Sequence, residues 1–313
     1  MSSRPILAAL AALALAGTAR AGDPLEEKKD ALLAQEWVKK GRWTTDLAAA
    51  KEEAKRSGKP IFAYFTVTTP ESPFSRNIEK TLLGDEKFLA WSKGWVCYVH
   101  VTWSEKSNYD ELEKAKGRAW PWFAFLDAEG GLIYPLRPAM ALQAFEEAGE
   151  RVKRYVELSR KAEKGSDAEK RDLVIAALDL GRIKAEGEDG ARARLEKLGE
   201  LSAEQKKALE LAETNAFVMA VAMATDTSDK EAHLAAGRKF IEHKKAGKPL
   251  PTARADFQAY WLAIMRVAQE EKDAALYEEG VKALAGRYGQ EPTSKAFFEK
   301  CAKTLEELKA GKK

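Results

Sequence analysis

Cysteine and histidine are scarce in this chain of 313 residues, which contains two cysteines and three histidines. Cys97 and Cys301 lie far apart in the sequence, and a disulfide needs Cα atoms within about 7 Å, so their pairing stays open. No Cys/His cluster has the spacing of a zinc site. His233 and His243 are ten residues apart in one predicted helix and face different ways. The sequence therefore predicts neither a metal site nor a cofactor.

Long apolar runs and an excess of one charge are also missing. Beyond the first residues, no apolar stretch is long enough to span a bilayer, so no transmembrane segment is expected there. The 52 basic and 49 acidic side chains nearly balance, which argues against a dedicated nucleic-acid-binding protein. With 45% hydrophobic residues, the chain can form one or two globular domains with their own cores.

The first 21 residues have the features of a signal peptide. Arg4 precedes an apolar run from Ile6 to Gly17, and residues 19–21 read Ala-Arg-Ala, the small-x-small pattern of a cleavage site. Cleavage near Ala21 would yield an exported protein, either periplasmic or secreted. An uncleaved amphipathic or anchoring N-terminus is the alternative.

The stretch 58–83 has the pattern of a buried strand, a short loop and the beginning of a helix. The run from Ile61 to Phe65 is continuously apolar and too short for a helix, which is typical of a strand covered on both faces. After the loop, Ser72 can cap a helix and Pro73 suits its first position. Strand, turn and helix N-terminus are therefore expected in succession.

The apolar side of this predicted helix follows from its spacing. Phe74, Ile78 and Leu82 lie at i, i+4 and i+8, so we expect them on one side of the helix. Ser75 falls between them and is interpreted as an ordinary surface residue.

This layout resembles the thioredoxin superfamily, in which a Cys-x-x-Cys pair lies on the first turn of a helix after a central strand. The resemblance places Ser72, Pro73, Phe74 and Ser75 at the positions of that motif, with serine in place of both cysteines. A helix N-terminus lowers the pKa of a cysteine enough for thiol–disulfide exchange, whereas serine oxygens cannot cycle between a dithiol and a disulfide. The resemblance therefore implies the fold without its redox activity.

Two further positions belong to the same resemblance. Tyr64 stands where thioredoxins carry a buried acid that helps to move a proton, so that base is also missing. The sequence Trp120-Pro121-Trp122 resembles the segment in which a cis-proline opens the next strand and faces the motif. The family pairs the backbone beside this proline with extended polypeptides, which makes Trp120, Pro121 and Phe74 the candidate border of a peptide groove. Simple packing of these rings is the alternative.

The remaining strands and one helix complete a β-α-β-α-β-β-α order. Lys93 to Trp103 is predicted as an interior strand, with Cys97 at its centre as a packed residue and not a nucleophile. Residues 127–131 supply a hairpin turn, and the returning strand is expected to end at Pro135 and Pro138. A helix then runs from Ala141 to Lys164.

The expected fold class is an α/β thioredoxin-like domain, a central mixed sheet flanked by helices, followed by an all-α domain. The former spans residues 43–160, after an N-terminal helical segment at 22–42, and the latter spans 166–313. The all-α part is either an irregular bundle or a solenoid of the tetratricopeptide kind. Its predicted helices are Asp167 to Ala185, Asp189 to Leu198, Ala203 to Thr225, Lys230 to Ala246, Ala253 to Glu271, Asp273 to Arg287 and Pro292 to Leu308.

Catalysis has little support in the sequence. A serine nucleophile at Ser72 or Ser75 would need an oriented base, and none of the three histidines, one of which is His100, is placed for that role. The preferred interpretation is an exported, redox-inactive module that binds a protein or peptide through the thioredoxin-like groove or the helical domain. The alternatives are an oxidoreductase that uses Cys97 and a structural subunit of an envelope complex.

Overall fold

The computed structural model describes residues 24–68, 72–102, 109–117, 119–136, 141–226, 228–291 and 294–311. The predicted signal peptide, Trp103 and Pro138 lie outside these residues. Among the helices in these ranges, none combines the length and the apolar composition that a bilayer crossing requires.

A mixed four-stranded sheet forms the centre of the N-terminal half. Its strands are β1 (Ile61–Val67), β2 (Val96–Thr102), β3 (Trp122–Leu126) and β4 (Leu132–Leu136), in the order β2-β1-β3-β4. β1 runs parallel to β2 and antiparallel to β3, and β3 is antiparallel to β4. Because β1 has a strand on either side and helices over both faces, all seven of its residues are buried.

The sheet differs from the expected strand positions in two respects. The strand around Cys97 is buried on both faces, but it lies at the edge of the sheet and not in its interior. Its outer side carries a single bridge, in which Thr44 N donates to Cys97 O and Val99 N donates to Thr44 O. Pro135 does not end β4 but lies within it. Proline cannot donate a ladder hydrogen bond, and an edge strand tolerates this because its outer side pairs with no further strand.

In the described residues before the last strand, six helices accompany the sheet. The described part of the predicted helical segment at 22–42 contains two of them, because Gln35 has extended backbone between them. Asp46 caps the third helix through Ala48 N and Ala49 N, and Gly58 ends it with a φ of 68°. The helices are α1 (Pro24–Leu33), α2 (Glu36–Lys40), α3 (Leu47–Ser57), α4 (Pro73–Ile78), which continues as a π-helical turn (Glu79–Leu83), α5 (Glu86–Ser92) and α6 (Asp110–Lys114).

In the described residues after β4 all regular elements are helices, as the sequence predicts. α8 ends at Asp179, earlier than expected, because Gly181 adopts a φ of 64° and turns the chain away. Side chains of Ser166, Ser202, Asp229 and Asp273 cap four of these helices. The helices are α7 (Leu142–Ala162), α8 (Asp167–Asp179), α9 (Ala191–Lys197), α10 (Ala203–Ala224), α11 (Lys230–Lys245), α12 (Arg254–Glu270), α13 (Ala274–Tyr288) and α14 (Lys295–Lys309).

The two faces of the sheet have separate cores, and the helical half contributes to both. One face packs against α1, α2, α4, α5 and α7, and the other packs against α3 and α6. Leu180 belongs to the first core and Met219 packs against it, whereas Met223 packs against the second. The helical region is therefore joined to the sheet through apolar contacts and not only through the chain.

Candidate functional site

The first turn of α4 lies just beyond the C-terminal end of β1. Ser72 has extended backbone, with φ −100° and ψ 108°, and its Oγ accepts a hydrogen bond of 3.2 Å from Ser75 N. Pro73 occupies the first helical turn, where no donor is lost. The local sequence therefore forms the cap that its residue types favour, and the Ser72 hydroxyl is engaged in it.

The rotation of α4 differs from the expected one. Ser75 is completely buried, together with Ile78 and Leu82, whereas the Phe74 side chain is 42% exposed. The inward face is thus set by Ser75 and its i+3, i+4 and i+7 neighbours, and the interpretation of Ser75 as a surface residue is wrong. Within the described ranges, no hydrogen-bond partner reaches the Ser75 Oγ.

A buried carboxylate that the sequence interpretation missed lies one turn further along. Glu79 is 2% exposed and comes from the π-helical turn. Its Oε1 accepts hydrogen bonds from Tyr64 Oη at 2.8 Å and from Thr66 Oγ1 at 3.0 Å. Its Oε2 lies 2.5 Å from Arg76 Nη1. Glu79 lies four residues after Ser75 on the same helix face, and because that face was not expected to be buried, the spacing gave no signal for it.

Tyr64, which the resemblance placed at the position of an acid, is in contact with the acidic side chain of Glu79 from another element. Burial, and secondly the negative charge of Glu79, raise the pKa of Tyr64 well above its ordinary value, so Tyr64 remains a hydrogen-bond donor. Arg76 Nη2 also donates to Val67 O at 2.9 Å. These hydrogen bonds and the ion pair link α4 to the end of β1. The groups that form them are the Glu79 carboxylate, the Arg76 guanidinium and the hydroxyls of Tyr64 and Thr66.

Pro121 lies at the same end of the sheet as this turn. The register pairs Phe65 with Trp122, which places Pro121 one residue beyond that pair, beside the last residues of β1. The peptide bond between Trp120 and Pro121 is cis. Trp120 is half-buried, and its ring lies 5.7 Å from that of Tyr109; the described ring contacts do not join it to Phe74.

The two cysteines are not part of this turn, and both thiols are buried in apolar surroundings. Cys97 is 4% exposed, its Sγ lies 3.7 Å from Ser92 O, and burial raises the pKa of its thiol to about 12. Cys301 is buried in a different cluster, among the C-terminal helices, and burial also raises its pKa. Both are free, so they form no disulfide with each other.

His100 belongs to a polar cluster on the opposite face of the sheet. Its ring lies 5.8 Å from that of Phe65, whereas Tyr64 and Glu79 occupy the other face. His100 Nδ1 is 3.2 Å from Glu111 Oε2, and Tyr98 Oη donates to the same carboxylate. The hydrogen bond with His100 lowers the pKa of Glu111. The sheet therefore separates His100 from Ser72 and Ser75.

The other two histidines lie in the helical half. His243 stacks on Phe217 and contacts Tyr260 Oη, and His233 contacts Arg266. Among the described residues, neither histidine contacts Ser72 or Ser75. Phe74 is exposed at this turn, and Trp120 lies at the same end of the sheet. No family model, curated protein or solved structure matches the chain.

Proposed function

We propose that the chain is an exported, redox-inactive member of the thioredoxin-like superfamily that binds a protein or peptide. The strand order β2-β1-β3-β4, a capped helix directly after the central parallel strand, and Pro121 at the entry to β3 support this assignment. Export rests on the predicted signal peptide alone.

The observation that carries the proposal is the state of the two hydroxyls at the tip of α4. The Ser72 hydroxyl caps the helix, and the Ser75 hydroxyl is buried one turn before the Glu79 carboxylate. Sulfur at these two positions would lie at a helix N-terminus, where the partial positive charge favours a thiolate. Serine oxygens at these positions cannot cycle between a dithiol and a disulfide. We therefore assign this turn to the binding of a protein or peptide.

Binding is assigned to the surface beside this turn. Phe74 presents an exposed ring, and Trp120 with Pro121 lies at the same end of the sheet. Aromatic rings that combine large contact area with few rotatable bonds are typical anchors for polypeptide partners. The helical half is the second surface through which a partner could dock.

The test restores the chemistry that the motif requires. Ser72→Cys combined with Ser75→Cys should give at least weak insulin reduction in the presence of dithiothreitol, whereas the wild-type chain stays at the background rate. The matched control is Ser72→Ala with Ser75→Ala, which changes the same positions without adding sulfur. A double-cysteine variant that folds, by circular dichroism, and yet remains inert would show that the two serines do not occupy the motif's positions.

The alternative of an oxidoreductase that uses Cys97 receives no support from its surroundings. At neutral pH a thiol with a pKa of about 12 is almost entirely protonated, and the thiolate is the reactive form. Turnover in the wild-type chain that disappears on Cys97→Ala would overturn the proposal in favour of that alternative.

A further inference from the structure

A groove of about 990 Å³ runs between the edge strand β4 and helix α10. Its apolar lining comes from three elements: Leu132 and Pro135 from β4, Leu180 from the segment after α8, and Met219 and Met223 from α10. The part of α10 that lines it, Ala216 to Ala224, is about 12 Å long, which matches about four residues of extended polypeptide.

The walls of this groove are held together by a polar network directly behind them. Arg151 of α7 donates to Tyr134 Oη at 3.2 Å and lies 2.7 Å from Asp179 Oδ2. Asn215 Nδ2 donates to Asp179 Oδ1 at 2.7 Å. Tyr134, Asp179 and Asn215 each lie next in sequence to a groove residue. The groove is therefore preformed, and a ligand would not have to assemble it.

The rim of the groove carries an excess of positive charge. Within the described part of the chain, none of Lys114, Lys116 and Lys184 forms an ion pair, and Arg182 is hydrogen-bonded to Leu132 O. Of the two acidic side chains on the rim, Glu213 is already paired with Arg192 at 2.7 Å. Among the groove-lining residues, Glu113 is therefore the one carboxylate without an ion-pair partner, against four cations, of which Lys114 also interacts with Glu111 outside the lining.

We propose that this groove binds a short extended segment of a partner polypeptide that carries apolar side chains interspersed with acidic ones. Met219 and Met223 supply a deformable apolar surface, which suits varied apolar side chains. The lysines attract carboxylates at the rim, and the open side lets the partner chain continue beyond the groove. This surface is additional to the Ser72 turn and does not depend on the thioredoxin-like assignment.

The experiment uses the full chain and fluorescein-labelled octapeptides in a fluorescence-anisotropy titration. A peptide of alternating leucine and glutamate should bind at least tenfold more tightly than peptides of alternating leucine and lysine or serine and glutamate. Ala220→Glu places a like charge on an exposed groove residue and should weaken binding at least tenfold. Ala235→Glu, at an exposed alanine of α11 outside the groove, is the matched control and should bind as the wild type does.

A second variant tests the charge separately from the groove itself. Lys116→Glu with Lys184→Glu should remove the preference for glutamate over lysine while leaving the urea midpoint near that of the wild type. Failure of all three peptides to bind, or equal binding that ignores Ala220→Glu, would overturn the proposal. Binding of oleate but of no peptide would also overturn it, since the occupant would then be an amphiphile.

Discussion

The two serines at the start of α4, Ser72 and Ser75, differ in whether their hydroxyl group forms a hydrogen bond. Ser72 Oγ satisfies a helix N–H group that would otherwise have no partner, and Ser75 Oγ is buried without an acceptor or donor in the described residues. A capping oxygen stabilises a helix. A buried hydroxyl without a hydrogen-bond partner destabilises the fold, because its desolvation is not compensated by a new hydrogen bond.

Alanine substitutions at these serines should therefore have unequal effects. Ser72→Ala should lower the free energy of unfolding by about 1 kcal/mol. Ser75→Ala should leave it unchanged or raise it by up to about 1 kcal/mol, because the unsatisfied group is removed. Urea denaturation followed by tryptophan fluorescence measures both. Equal losses in the two variants would mean that Ser75 has a partner after all.

At this scale the sequence was informative where the signal is local. Ser72 followed by Pro73 is a helix-start signature, and the structure has that cap. The burial of Ser75 and the exposure of Phe74 depend on how α4 is rotated against β1, which is a tertiary property. Glu79 was overlooked because a carboxylate is usually exposed unless partners compensate it, and two of its three partners, Tyr64 and Thr66, come from β1.

Helices α11 and α12 approach closely at a glycine. A Cβ on Gly237 would lie 2.4 Å from Ala263 O and 2.5 Å from Val267 Cγ2, and one of these contacts is with backbone. On α13, by contrast, a Cβ on Gly286 would meet no atom within 4 Å. The two glycines therefore separate the effect of helix packing from the effect of helix propensity.

Replacement of the two glycines by alanine should change the stability of the chain in opposite directions. Gly237→Ala should destabilise the chain by about 1–3 kcal/mol, because α11 and α12 must move apart. Gly286→Ala should stabilise it by about 0.5–1 kcal/mol, since it only removes backbone freedom inside a helix. Thermal denaturation by circular dichroism gives the sign of each effect. A stabilising Gly237→Ala would contradict the close approach of these helices.

The sequence predicted helix positions well and helix ends less well. The seven C-terminal helices lie where capping residues and apolar periodicity place them, because both signals are local. α8 was expected to continue to Ala185 but ends at Asp179. Leu180 instead packs in the core beneath the sheet, and that destination cannot be read from a helical period.

One arginine joins several elements at the junction between the sheet and the helical half. The Arg151 side chain is 16% exposed and contacts Asp179, Tyr134 and, at 3.9 Å, the 2%-exposed Asp256. Its Nη2 also donates to Asp179 O. These residues lie on four separate elements, of which β4, α7 and α8 follow one another and α12 comes much later in the chain, and no short sequence pattern indicates that their side chains meet.

Removal of this cation should weaken the whole molecule. Arg151→Met keeps most of the side-chain volume but removes the countercharge of the partly buried Asp179 carboxylate, so we expect a loss of about 3–5 kcal/mol in the free energy of unfolding. Arg154→Met, at an exposed position of the same helix, should change stability by less than about 0.5 kcal/mol. Urea denaturation compares the two. A small effect at Arg151 would indicate that water replaces the arginine at the junction.

Leu180 and Met219, described above as contacts of the helical half with the first core, also decide what proteolysis of this chain would produce. A cut near Gly165 would leave an N-terminal fragment with an uncovered hydrophobic patch beside Tyr134. Such a fragment should self-associate during expression. The two halves, encoded as separate chains, should remain soluble only when they are co-expressed.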